Sequence, residues 1–505
     1  MQKPYKIGIL QLSRLGDIVM MLPLTRALKR TYPGCHITMI VREKYKGALD
    51  LFDMVDDVVT LKTQDVLQPF LENESAVNET LNRLDAFISE VKSKNIDWLV
   101  NLSFSPASAD LTYALLQGTE STFTGYNRFV DGYIRFSGTD AQYFFTEVGS
   151  RKENQIHLTE IFAKMTNTQL IEDDFACPAG EGQFLPEKSS RFYTVHLGAS
   201  EEFKRPPVQR VAALMGLILD FDPEAAFCFL GTSEESEGTF QMISGLSEAL
   251  KSRCINLTGK TSLRQLLGVM SMSHGHIGGD SLPVQLAMLS KTKVLLLSAE
   301  GTNFYETGPL SPQSIVWRQI DGEVDNENLV ELVGCFLKNQ QTLHTDDLFY
   351  PQNGLVKWTN HQMTNIFQSE ALQQLSRYLY FDDEAPLIHD TTFTTGMNHL
   401  YEAHVLVLDH IQLALDRPEM LETLQAISKQ VDAISEEISR YGHHLLKVCQ
   451  WIALQKSQIA PQDMKAMLAA SIPVYEKILA KANELRSLGV SMSYEKQKVN
   501  FEETP

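Results

Sequence analysis

One feature constrains this chain more than any other: an alternation of short apolar strands and amphipathic helices that runs through once and then starts again. Residues 6–12, KIGILQL, read as a buried strand. A turn, Ser13-Arg14-Leu15-Gly16, leads into an apolar-periodic helix from Asp17 to about Arg30, which Tyr32-Pro33-Gly34 stops. HITMIV at 36–41 is the next strand, and a β-α-β unit of this kind commits the segment to a parallel sheet. Val55–Leu61, Trp98–Leu102 and Ser121–Tyr126 are strand-like, while 77–94 and 109–117 are helical, which makes an α/β domain over 1–175. The Pro/Gly/Glu-rich stretch 177–190 reads as a linker. Strands at 192–197, 226–230, 255–257, 276–279 and 293–297 then alternate with helices at 207–219 and 262–271, giving a second α/β domain over 190–340. Paired halves of this type hold a ligand in the cleft between them.

Residues 341–505 differ. Strand signals vanish, and Leu424, Ile427, Val431, Ile434, Ile438, Tyr441, Leu445, Val448 and Ile452 recur at steps of three and four. Met464, Leu468, Ser471, Tyr475, Ile478, Ala482 and Leu485 repeat the spacing, with Pro461 suiting a helix start and Pro473 predicting a kink. The helices either pack on one another as a bundle or present an interface for an oligomer or partner, and the two can coexist. Residues 497–505 read as a frayed tail.

Composition narrows the function classes. A length of 505 residues suggests two to four domains at about 100–200 residues each. The net charge of −19 argues against nucleic acid, whose backbone is gripped by clustered Lys and Arg. Six cysteines, none at CxxC spacing, exclude a disulfide framework and the usual structural zinc site. The first apolar run is too short for a signal-peptide core, and no run is long enough to span a bilayer. A cytoplasmic protein is expected, with at most peripheral contact at the inner membrane. Lys29, Arg30, Arg42, Lys44 and Lys46 are the basic residues best placed in sequence to make that contact.

Three turns carry the chemistry. In the first, Asp17 reads either as a helix N-cap or as a carboxylate at a strand's C-terminal edge, able to take a proton from a hydroxyl. Gly16 beside it allows backbone to approach a ligand. The second, His196-Leu197-Gly198-Ala199-Ser200 with Lys204-Arg205-Pro206, combines small residues with a cation that suits a departing diphosphate. His196 reads as a packed, hydrogen-bonded histidine. The third, Gly278-Gly279-Asp280-Ser281-Leu282-Pro283, joins a strand to a helix, and Asp280 and Ser281 either cap it or bind a nucleotide-sugar. Asp56-Asp57, Asp173-Asp174, Asp346-Asp347 and Asp382-Asp383 read as solvated loop carboxylates, and no metal-ligand spacing is present.

The order of these segments resembles a known family. KIGILQLSRLGDIVMMLPLTRALKRTYPGCHITMIV is similar to the N-terminus of glycosyltransferase family 9, the ADP-heptose:lipopolysaccharide heptosyltransferases. IDWLVNLSFSPASADLTYALLQG with Gly125, HLGASEEFKRPPVQRVAAL, CFLGTSEE, NLTGKTSLRQLLGVMSMS and IGGDSLPVQLAM resemble its later segments in the expected order. The resemblance covers about 1–335. It implies a GT-B fold, with two Rossmann-like domains facing a cleft, to which this chain adds an all-helical extension. It implies inverting, metal-independent transfer of a sugar such as heptose from an ADP-linked donor, the nucleotide-sugar being a co-substrate rather than a cofactor. Asp17 would be the base and Lys204 the partner of the diphosphate. Gly16, Gly198, Ser200, Gly231, Thr258, Asp280, Ser281 and Gln285 would bind the donor. The family's D-T-G-P-x-H is here Asp280 to Gln285, with Leu282 for a glycine and Gln285 for the histidine, and Pro206 stands for the tryptophan of K-x-W-P. Lipopolysaccharide-type glycan is the default acceptor. A protein acceptor held by the helical extension, or a degenerate scaffold that only binds nucleotide-sugar, are the rival readings. A homo-oligomer through the extension is a further expectation.

Overall fold

The computed structural model describes residues 5–499 except 104, 149–153, 181–190, 300, 312, 320–325, 340–347, 352–357, 360–365, 389 and 461–462. The later part of the linker, Pro312, Asp346, Asp347, Pro461 and the tail beyond 499 therefore lie outside the described residues. The chain divides into two compact units, residues 1–125 with 148–363, and residues 126–147 with 364–505.

The first unit holds two sheets. β1 (Lys6–Gln11), β2 (His36–Arg42), β3 (Asp57–Leu61), β4 (Trp98–Asn101) and β5 (Thr122–Thr124) form a parallel sheet in the order β3-β2-β1-β4-β5. The second unit contributes a hairpin of β6 (Tyr126–Arg128) and β7 (Ile134–Phe136). The first unit's other sheet uses β8 (Phe192–His196), β9 (Ala226–Leu230), β10 (Cys254–Asn256), β11 (His276–Gly278), β12 (Val294–Ala299), β13 (Ile315–Gln319), β14 (Leu348–Pro351) and β15 (Trp358–Thr359), in the order β10-β9-β8-β11-β12-β13-β14-β15. The first six are parallel, and β14 and β15 add on antiparallel. These last two strands lie beyond residue 340, where the sequence reading expects helices only. Short edge strands give too few residues for a period of two to register.

β1, β4, β8, β9 and β12 are buried along nearly their whole length, which is why they read as unbroken apolar runs. One core packs Leu10, Ile40, Leu99 and Leu115, and another packs Val195, Phe227, Phe229, Ile277 and Leu295. In each sheet the chain order reverses beside the first strand, at β1/β4 and at β8/β11. Open α/β sheets bind ligands at such a switch point, outside the C-terminal ends of the strands.

The expected helix from Asp17 to Arg30 is two helices, Leu15–Val19 and Leu22–Thr31, separated at Met20 and Met21. Three of the five basic residues singled out for a surface patch are spent internally. Lys29 pairs with Asp56 at 2.6 Å, Arg30 with Asp174 at 2.7 Å, and the Arg42 guanidinium lies 4.7 Å from the Tyr45 ring. Asp174 is thus a buried partner rather than a solvated loop carboxylate. In a chain this acidic, cations are outnumbered by carboxylates that can pair with them.

The second unit is helical, with helices Thr139–Glu147, Ile366–Phe381, Thr391–Asp416, Leu421–Ile438, His443–Ser457 and Met464–Val499. They pack on one another, with Val407, Ile411, Leu424, Val431, Leu468 and Tyr475 in a shared core. The single heptad run from 424 to 452 is broken into two helices. Gly442 has φ +154°, a backbone setting that a residue with a Cβ resists, and the chain turns there. Ile434 and Tyr441 accordingly face solvent. The last helix runs through Pro473.

Residues 126–147 join this unit through specific partners. Lys447 and Glu147 form an ion pair at 2.6 Å with side chains 4% and 3% exposed. Gln455 Nε2 donates to Gln142 Oε1 at 2.7 Å, Phe136 N–H donates to Gln458 Oε1 at 3.0 Å, and Tyr143 packs edge-on against Tyr380.

Candidate active site

A cavity of about 610 Å³ opens at the two switch points. Arg14, Gly16, Asp17 and Tyr45 line it from the first sheet's side, and His196, Ser200, Lys204, Gly231, Glu235, Asp280, Ser281, Leu282, Gln285 and Thr307 from the second's. Eight of the ten expected site residues are therefore brought together. Gly198 and Thr258 do not line the cavity but lie beneath it. A methyl group at Gly198 would fall on the Glu235 carboxylate, so the glycine lets the chain just past β8 run close to that side chain. Thr258 is buried and turns its hydroxyl to Asn256 Oδ1, while its methyl faces Gly231.

Asp17 is not the N-cap of its helix, which is Arg14. It is the third helical residue, in the first turn, and its Oδ2 accepts the Arg14 N–H at 2.9 Å. Burial raises its carboxyl above the usual range. The Arg14 N–H and the charges of Arg14 and Lys204 oppose that rise, and Asp280 adds to it. The raised direction favours a carboxylate that can hold a proton. Arg14 also donates to Ser200 Oγ at 2.7 Å and pairs with Glu201 at 3.5 Å.

Lys204 stands between Glu201 at 3.3 Å and Asp280 at 3.5 Å. Both contacts are long, and its ammonium can turn to a stronger anion without breaking a tight pair. Asp280 is fixed from its other oxygen, which accepts the Thr307 hydroxyl at 2.9 Å. Gln285 Nε2 donates to the Thr307 carbonyl at 2.5 Å, and its Oε1 is buried with no partner among the described residues.

His196 was expected to be packed and hydrogen-bonded, and it is, but it also lines the cavity. Its Nδ1 lies 2.9 Å from Ser281 Oγ and its Nε2 lies 3.4 Å from Glu235 Oε2. Burial would raise Glu235, but His196 together with the Thr232 N–H and hydroxyl holds it down to about 2. Glu235 falls within the CFLGTSEE segment and was legible in the motif. Thr307 and Tyr45 carry no motif signal, and Thr307 reaches Asp280 only through the fold. Arg14 stands in the first of the three turns, where its residue type alone assigns it no role.

Among the described residues no group of three or more His, Cys, Asp or Glu could hold a metal ion, and no helix is long and apolar enough to cross a membrane. A second cavity of about 420 Å³ lies at the other end of the first sheet, by Asn95–Asp97 and Gly118–Ser121.

Comparison with known proteins bears on the same region. Residues 150–331 match the family model for glycosyltransferase family 9 (heptosyltransferase). Lipopolysaccharide heptosyltransferase 1 of Campylobacter coli is 24% identical over 309 residues, 58% of this chain and 84% of that protein. Lipooligosaccharide heptosyltransferase 2 of Haemophilus ducreyi is 23% identical over 334 residues, 63% of this chain and 89% of that one. A crystal structure of a family 9 glycosyl transferase from Veillonella parvula aligns with TM-score 0.49 at 15% identity, over 67% of this chain and 99% of its own. Over residues 150–331 the chain is thus similar to glycosyltransferase family 9, and over longer stretches it is similar to two heptosyltransferases.

Proposed function

We propose that the protein transfers heptose from ADP-heptose to a hydroxyl of a lipopolysaccharide-type glycan, with inversion and without a metal. The observation that carries this reading is the placement of Asp17, Lys204, Asp280 and Ser281 around one cavity. The acceptor hydroxyl attacks the anomeric carbon, the sugar–phosphate bond breaks, and the hydroxyl proton passes to Asp17. The departing ADP takes its negative charge toward Lys204 and Ser281. A raised Asp17 carboxyl supports the base role, since a stronger base takes the proton more readily. Asp280, tied by Thr307, holds Lys204 in place until the diphosphate displaces it. The relatives' own names supply the sugar and the acceptor class in this reading.

The test is transfer from ADP-heptose to deep-rough lipopolysaccharide acceptor, wild type against Asp17→Ala. Transfer by the wild type with loss in the variant is the expected result. Equal rates in both would remove Asp17 from the mechanism. Donor binding without turnover by the wild type would make the protein a nucleotide-sugar-binding scaffold.

A further inference from the structure

Ser281 precedes the nine-residue helix Leu282–Ser290 at the N-cap position, where a serine hydroxyl ordinarily accepts an N–H of the first turn. It makes no such bond. Its Oγ lies 2.9 Å from His196 Nδ1 and 3.2 Å from the Gly279 carbonyl. On the far side of the same ring, Nε2 faces Glu235 Oε2 at 3.4 Å. Three groups that come from three separate strand ends, after β8, β9 and β11, thus form one line: Glu235, His196, Ser281.

The protons in this line can be counted. Serine has one hydroxyl proton, while a carbonyl and an ionised carboxylate can only accept. With a neutral ring whose proton is on Nε2, facing Glu235, Nδ1 is a bare acceptor. Ser281 then has to give its proton to the ring. With a doubly protonated ring, Nδ1–H donates to Ser281 Oγ, and the hydroxyl proton is released toward Gly279 or into the cavity. A diphosphate oxygen is an acceptor only, so Ser281 can donate to it and keep its bond to the ring only when Nδ1 carries a proton. A neutral ring protonated there would turn bare Nε2 onto the Glu235 carboxylate, so the doubly protonated ring is the form that makes both contacts.

We propose that binding of the sugar diphosphate draws a proton from solvent onto His196, which turns the Ser281 hydroxyl into a donor for the diphosphate. His196 is then a positioning residue, acting through Ser281. The inference rests on the nucleotide-sugar reading given above. The groups that face the ring set the balance. Glu235 stays ionised and favours the imidazolium. His276 on β11 is held neutral by burial, down to about 3, and does not compete for the proton. Lys204 and Arg14 oppose a further cation and Asp280 favours it, all from the cavity wall. The incoming diphosphate adds the negative charge that tips the sum.

Calorimetric titration of the full chain with ADP-heptose, without acceptor, tests this in buffers of different ionisation enthalpy. The diphosphate diester does not titrate near neutral pH, so any proton taken up belongs to the protein. The expected result is uptake of up to one proton on the alkaline side of neutrality that falls away as the pH is lowered. H196Q should bind with no uptake, and Asp17→Asn should keep it, which separates His196 from the other candidate acid. A wild-type enthalpy independent of buffer, or uptake retained in H196Q, overturns the proposal. If H196Q does not fold, the wild-type pH series decides alone: a flat profile overturns the proposal and a rising one supports it. No binding of ADP-heptose by the wild type would overturn the nucleotide-sugar reading and this inference with it.

Discussion

The two units handle buried charge in opposite ways. In the cleft, Lys204 is shared between Glu201 and Asp280 at 3.3 and 3.5 Å, and cavity and protein both touch it. In the helical unit, Lys447 meets Glu147 at 2.6 Å with almost no exposure. A buried pair made this tightly has nothing left to offer a ligand, and its desolvation cost is offset only by its own geometry. A loosely held cation is less stabilising, but it can be drawn off by an anion that arrives later. In these two pairs, close geometry goes with a buried staple and slack geometry with a place on the cavity wall.

That contrast can be broken by substitution. The largest effect is expected at Asp17: Asp17→Asn should lower kcat by about 10²–10⁴-fold, the usual range for a lost general base, with unfolding midpoints nearly unchanged. Because the Asp17 carboxyl is raised, the acid limb of the wild-type kcat/KM profile should lie above the ordinary aspartate range. Glu147→Ala should do the reverse and cost about 3–5 kcal/mol of stability in denaturant melts, since it takes the carboxylate from a buried ion pair. The double variant Glu147→Leu/Lys447→Met should recover most of that loss, and a double variant as unstable as the single would refute the staple. Lys204→Met should cost about 10²–10³-fold in kcat, comparable to removing a preorganised partner of developing charge, while leaving stability close to wild type.

Acid should act on both units alike. His157 and His404 are pushed by burial down to about 4, and His276 to about 3, so the unfolded chain binds more protons below pH 6.5. Stability from these groups is complete above about 6.5 and is lost as pH falls toward 4, which denaturant melts across that window would register. Gly442→Ala should have the smallest effect, about 1–3 kcal/mol, confined to the corner between two helices of the second unit. Hydrogen exchange in helices Leu421–Ile438 and His443–Ser457 would show whether the loosening stays there.

Much of this was readable from the residues in order. β1, β2, β4, β8, β9 and β12 announce themselves as apolar runs because both faces are buried, and Asp17, Lys204, Asp280 and Ser281 stand in short motifs at strand ends. The signal failed where the deciding contact was distant. Nothing near 126–147 tells that Gln142 and Glu147 will meet Gln455 and Lys447, 313 and 300 positions away. The heptad spacing across 424–452 continues through Gly442 without regard to the turn there, since spacing records which residues want burial and not where the backbone bends.

The sequence by itself determined the parallel α/β halves, the helical character of the C-terminal part and most of the residues that line the cavity. Local patterns of apolar and polar residues carry that information at periods of two and of three to four. Only the tertiary structure decided that Gly198 and Thr258 support the cavity from below, that Thr307 orients Asp280, and that His196 links Glu235 to Ser281. Those relations depend on which strands become neighbours. Strand order joins residues 27 to 85 positions apart, and no local pattern encodes it.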